Sequence, residues 1–95
     1  MSSLLSRHSR MLSLLAPKVR IQQSHVALFA ALLLCEQMQA SGSAIRITRK
    51  QIMQLSYIRA FGTYHKCLQD LVMCGVVCYH PSYNKMDGSG VRLLV

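Results

Sequence analysis

Carboxylates are almost missing from this chain. Glu36, Asp70 and Asp87 face eleven Lys and Arg in 95 residues, for a formal net charge of +8. With no pair of acids for general acid–base work, and no Gly-rich phosphate loop, the common architectures of hydrolases and phosphotransferases are excluded. Cys67 is read onto the buried face of its helix, so a Cys–His nucleophile is not expected and the chain reads as a non-enzyme. Long apolar runs are also lacking. The longest, Val26 to Cys35, is about half of what a membrane-spanning helix needs, so no membrane partner is expected. Aromatics are few, four Tyr and two Phe, too few for the exposed stacking sheet of a single-strand binder.

The four cysteines, Cys35, Cys67, Cys74 and Cys78, come without a secretory signal and without a CxxC pair. They read as reduced core residues and not as a disulfide framework. A zinc site from His65, Cys67, Cys74, Cys78 and His80 would need spacings of six and three residues between its cysteines, which match no knuckle, so no metal or other cofactor is expected. The opening MSSLLSRHSRMLSLLA is rich in Ser and Arg and free of acids. That composition also suits a transit peptide, but the segment is read here as mature protein.

What is present is a basic chain, 52% apolar, long enough to bury one modest core. Its cations are spread over loops and helix faces instead of forming one polybasic tail, which favours nucleic acid over an anionic membrane.

Apolar periodicity divides the chain. Leu4, Leu5, Met11, Leu12 and Leu15, with His8 beside them, predict a short amphipathic helix that Pro17 terminates. Residues 1–23 are thus an N-terminal helix and linker, and a candidate dimerisation element. Ser24 is the expected cap of a core helix over His25 to Gln39. Ala40 to Ser43 break it, and Ile45, Arg46 and Ile47 alternate as a short strand. Thr48 caps the next helix, with Gln51 as its capping partner and Ile52 and Leu55 as its apolar edge, ending near Ser56. After a turn from Tyr57 to Gly62, Thr63 is the expected cap of a further helix to Cys74. Tyr64, Cys67, Leu68, Leu71 and Val72 mark its buried stripe, and Gly75 stops it. Val76 to His80 and Val91 to Val95 read as two antiparallel strands joined by a long turn.

The order helix, strand, helix, turn, helix, hairpin resembles the winged helix-turn-helix over Ser24 to Val95. Ile47-Thr48, Ile52 and Leu55, Thr63 and Leu71, and Gly75-Val76-Val77 match its capped support helix, recognition helix and Gly-led first wing strand. The expected fold class is therefore mainly α with a small β-hairpin, α+β, with residues 24–95 as a winged-helix DNA-binding domain. More narrowly, ITRKQIMQLSYI, TYHKCLQDL, YHPSYNKMDGSGV and the upstream KVRIQQSHVALFAALL are similar to small regulator proteins carried on mobile elements of gut anaerobes. Where such proteins approach the recognition helix through Ser or Ala, this chain has Arg59-Ala60-Phe61-Gly62. The resemblance implies a cytoplasmic, nucleoid-associated bacterial protein.

With Tyr64, Cys67, Leu68 and Leu71 inward, the helical step places Thr63, His65, Lys66, Gln69 and Asp70 outward. Lys66 suits guanine or phosphate, Gln69 a two-point contact with adenine, Thr63 a hydroxyl or methyl contact, and His65 a base or phosphate. Asp70 would oppose phosphate, so the N-terminal half of the helix is expected to enter the groove. Arg46, Arg49, Lys50 and Arg59 are candidate phosphate contacts around the support helix, and Lys85 and Arg92 on the wing, with Ser82, Tyr83 and Asn84 as further wing residues. Tyr79 and Tyr83 read as packing aromatics. The expected function is a sequence-specific double-stranded DNA-binding regulator of a mobile element, acting as a homodimer. The alternatives are a replication-initiator or excisionase-like architectural factor, and a winged-helix protein-interaction module that does not bind DNA.

Overall fold

The computed structural model describes residues 4–39, 45–80 and 89–95. Its elements, in order, are α1 (Leu4–Leu15), α2 (Gln23–Gln39), β1 (Ile45–Ile47), α3 (Arg49–Ser56), α4 (Phe61–Met73), β2 (Val77–His80) and β3 (Ser89–Leu93). The chain is mainly helical with a small antiparallel sheet of order β1-β3-β2.

α2 is the centre of the core. Leu28, Phe29, Leu32 and Cys35 on it are fully or nearly fully buried, and α3 and α4 pack across it. Met11 and Leu15 of the expected α1 stripe are turned onto the same core and fully buried, Leu12 of that stripe is not, and His8 sits edge-on to Phe29 at 5.1 Å. Burial of each such large side chain contributes about 1.5–3 kcal/mol, so α1 is an integral part of the packing. Leu12 and Leu14 stay exposed. Arg7 locks α1 in place with a two-point pair to Glu36 on α2 (2.6 and 3.1 Å) and a bond to the Val95 carbonyl (2.9 Å).

α2 begins at Gln23, two residues before the expected start, and Ser24 is not its cap. Instead the Nδ1 of His25 accepts the Gln22 N–H at 3.0 Å while the His25 N–H donates to the Gln22 carbonyl at 3.0 Å. The imidazole thus takes the reciprocal role that Glu or Gln usually plays in a capping box. Ser24 is released to accept the Cys67 thiol at 3.1 Å, a link from α2 to α4.

In the sheet, Ile45 and Ile47 pair opposite Val91 and Ser89, and Val77 and Tyr79 opposite Leu93 and Val91. Ile45, Ile47, Val77 and Val91 face the core, whereas Arg46 and Arg92 alternate to the outer face. β1 is an edge strand, and the Gln39 side chain covers that edge. Its amide donates to the Arg46 carbonyl (2.7 Å) and accepts the Arg46 N–H (3.0 Å), as a neighbouring strand would.

Thr48 caps α3 as the sequence predicts, its Oγ1 accepting the Gln51 N–H at 3.1 Å. Ile52 and Ser56 form the buried edge; Leu55, expected there, is exposed because the helix turns residues 52, 53 and 56 toward α2. α3 ends on Tyr57 in a left-handed conformation (φ 60°). α4 starts at Phe61 with Ala60 as N-cap and no side-chain cap, so Thr63 lies inside its first turn. Its C-terminus is a Schellman motif: Val76 N–H to the Leu71 carbonyl (2.9 Å), Gly75 N–H to the Val72 carbonyl (3.2 Å), and Gly75 at φ +78°. Val72, placed on the buried stripe by spacing, is 40% exposed, because it lies on the flank of that stripe, on the side of Phe61 and His65.

Candidate nucleic-acid interface

The exposed surface of α4 divides into three strips. Lys66 and Gln69 lie outermost, opposite the buried Tyr64, Cys67, Leu68 and Leu71. Phe61, His65 and Val72 turn toward the start of α3 and toward Tyr79 of β2, lining one groove with Arg49. Thr63 and Asp70 turn the other way, toward the α1–α2 connector, where with Lys66 they border a second hollow beside Arg20 and His25.

Asp70 is therefore not an outward acid. It is only 15% exposed, and its Oδ2 is 2.8 Å from Nε2 of His25, itself 3% exposed. Because Nδ1 of His25 accepts the Gln22 N–H, the ring proton sits on Nε2 and donates to Asp70. Position 70 steps toward α2 by the ordinary helical rotation, and a partner 45 residues earlier in the chain waits there. The expected repulsion between Asp70 and phosphate is replaced by a structural hydrogen bond that ties α4 to the start of α2.

Around the α3–α4 turn, Arg49, Lys50 and Arg59 converge with Tyr57 on one hollow. Tyr57 is 86% exposed in its left-handed conformation. Non-glycine residues in that region are strained, and strain of this kind concentrates at functional sites. Composition gave no sign of this residue; only its φ angle does.

Phe61 was also assigned to a turn, but it opens α4 half-exposed. The Arg49 Cζ stands 4.5 Å from its ring centroid, and the His65 ring stacks with it at 5.9 Å and 11°. Gln69 Nε2 in turn lies 3.1 Å from His65 Nε2. A chain of contacts thus runs Arg49, Phe61, His65, Gln69, and holds two of the base-reading candidates and one phosphate candidate in fixed relation. Below it, burial pushes the Tyr64 phenol up to about 12; nearby Tyr79 adds to this and Arg49 opposes it.

Of the other expected contacts, Thr63, His65, Lys66, Gln69, Arg49, Lys50 and Arg59 are all exposed. Arg46 and Arg92 are exposed as well, but on the outer face of the sheet, away from the helix-borne set. Lys85 and the rest of the expected wing tip, including Ser82, Tyr83 and Asn84, lie outside the described residues.

Cys35, Cys67 and Cys74 are buried, and burial raises the Cys35 thiol pKa. Cys78 is half-buried with its sulfur 3.2 Å from His80 Nε2. Among the described residues no three His, Cys, Asp or Glu side chains converge on a point that would hold a metal ion. None of their helices is long and apolar enough to cross a membrane.

No known family, curated protein or solved structure matches this chain.

Proposed function

We propose that the chain is a winged helix-turn-helix protein that binds double-stranded DNA, with the N-terminal half of α4 in the major groove. The element order α2, β1, α3, α4, β2, β3 and the strand order β1-β3-β2 support that fold. The observation that carries the function is the surface of α3 and α4. Lys66, Gln69 and His65 stand exposed on α4, and Arg49, Lys50 and Arg59 flank them at the α3–α4 turn. The one carboxylate of α4, Asp70, is turned inward onto His25. A duplex presents phosphates to the flanking cations and base edges to the helix, as this arrangement requires.

In this reading Arg49 and Lys50 hold phosphate, together with Arg59 and the α4 backbone amides left open by the uncapped start at Ala60. Gln69 reads bases, and Lys66 beside it holds phosphate. Arg46, Arg92 and Lys85 contact a second stretch of backbone from the sheet and wing. A single recognition helix buries little surface, so a homodimer on a two-fold site is part of the proposal, as is a role in regulating a mobile element of a bacterial host.

Selection of duplexes from a random pool, followed by affinity measurements on the winner and a scrambled control, tests the reading. Lys66→Ala and Arg49→Ala weaken both duplexes, whereas Gln69→Ala lowers the preference between them. Absence of any enriched sequence would refute sequence-specific recognition. A protein-interaction role is favoured by one observation, the exposure of Phe61, Val72 and Met73 on α4, which phosphate binding does not use.

A further inference from the structure

The groove between α4 and β2 has a volume of about 630 Å³, inside the roughly 300–1,000 Å³ typical of small-molecule sites. The buried Tyr64 and Leu68 line it together with the exposed Phe61, His65, Val72 and Met73 of α4, and Tyr79 of β2 and Arg49 of α3 complete the lining. No carboxylate lines it, and its fixed charge is Arg49. Among the described residues Arg49 forms no ion pair; it is positioned by the Phe61 ring, 4.5 Å from Cζ. Phe61 (51% exposed), Val72 (40%) and Met73 (74%) leave apolar surface in and beside the groove that neither the core nor a phosphate contact uses.

We propose that this groove binds a planar aromatic carboxylate of one or two rings. The ring system extends the Arg49–Phe61–His65 series of planar groups and covers Leu68 and Val72, and the carboxylate accepts hydrogen bonds from the Arg49 guanidinium. Three features select this class. The near-parallel Phe61 and His65 rings (11°) favour a flat partner. A mostly carbon lining favours a hydrocarbon body. A lone guanidinium in a lining without acids, on a chain of charge +8, favours an anion over a neutral or cationic ligand. Since Arg49, His65 and Gln69 also belong to the proposed DNA surface, such a ligand and a duplex exclude each other. This last consequence, unlike the binding itself, rests on the DNA reading.

The probe is 2-naphthoate, with 2-naphthamide as its uncharged counterpart, titrated into the full chain and followed by amide chemical shifts. Saturable binding at one site is expected, with shifts centred on residues 61–73 and Tyr79, and with 2-naphthamide at least fivefold weaker. Arg49→Gln raises the naphthoate Kd about tenfold, the loss of one charge-assisted contact, and leaves naphthamide within about twofold. Lys18→Gln, which removes an exposed charge on the α1–α2 connector, changes neither, and unchanged melting temperatures show that both variants fold. No saturation at millimolar naphthoate, shifts centred elsewhere, or equal losses in Arg49→Gln and Lys18→Gln would each overturn the proposal. Duplex displacement is scored separately. Naphthoate binding without any duplex binding upholds the groove and removes the DNA reading; duplex binding without naphthoate saturation does the reverse.

Discussion

Replacing Asp70 by Ala should destabilise the protein without touching any group proposed to contact DNA. The Asp70 carboxylate accepts from Nε2 of His25 at 2.8 Å, and the imidazole is 97% buried, with its other nitrogen already engaged by the Gln22 N–H. Truncation leaves a buried N–H donor without a partner, which costs about 1–3 kcal/mol, the upper half being expected because the lost acceptor is charged. For a domain of this size, with total stability of roughly 5–14 kcal/mol, that is a large fraction, and it lowers Tm by about 4–8 °C per kcal/mol. Asp70→Asn keeps an oxygen in place to accept from Nε2 and should cost about 1 kcal/mol or less. Urea unfolding of wild type, Asp70→Ala, Asp70→Asn, His25→Ala and the double Ala variant gives the coupling between the two positions directly. A coupling of about 1–3 kcal/mol is expected. Coupling near zero, or Asp70→Ala and Asp70→Asn of equal stability, would refute the assignment of Asp70 as a structural partner and return it to the outer face of α4.

The remaining predictions concern caps, strain and ionisation. Gly75→Ala should cost about 1 kcal/mol in urea unfolding, because a Cβ there meets open space and only the left-handed backbone resists it. Thr48→Ala should cost about 1 kcal/mol through loss of the bond to the Gln51 N–H. Tyr57→Asn, which suits φ 60°, should raise stability by up to about 1 kcal/mol while weakening duplex binding; a variant both less stable and tighter on DNA would contradict the strain argument. Because folding raises the Tyr64 phenol from 10 to about 12, its contribution to stability is complete below pH 10 and is lost as pH climbs toward 12. Spectrophotometric titration should find that late ionisation, and Tyr64→Phe should abolish both it and the alkaline loss of stability.

Elements whose signals are local were legible in the sequence. Thr48 has its acceptor and its partner Gln51 three residues apart, Gly75 sits where a helix must reverse into a strand, and Tyr64, Cys67, Leu68 and Leu71 repeat at helical spacing; all three readings match the structure. Features set by contacts distant in sequence were not. The start of α2 depends on a histidine acting as a capping acceptor while it reaches 45 residues ahead to Asp70, and no propensity scale weights His for that role. The start of α4 was placed at Thr63 because a hydroxyl is the usual cap. The cap is Ala60, three residues earlier, Phe61 at the helix start packs against Arg49 and His65, and the first amides remain without a side-chain acceptor. Val72 and Leu55 follow the spacing rule yet stay exposed, since periodicity marks a face but not how far around the helix the neighbouring element covers it. The candidate cations were all identifiable from sequence. That Arg49, Lys50 and Arg59 share one hollow with Tyr57, whereas Arg46 and Arg92 lie on the sheet's outer face, required the fold.

The central claim is tested most directly by duplex affinity as a function of salt. If four to seven of the named cations neutralise phosphates, the logarithm of the association constant falls against the logarithm of salt concentration with a slope between about −3.5 and −6. Lys66→Ala and Arg49→Ala should each flatten that slope by about 1. No duplex binding at about 50 mM salt, where contacts to phosphate are strong, or a slope near zero, would contradict the account.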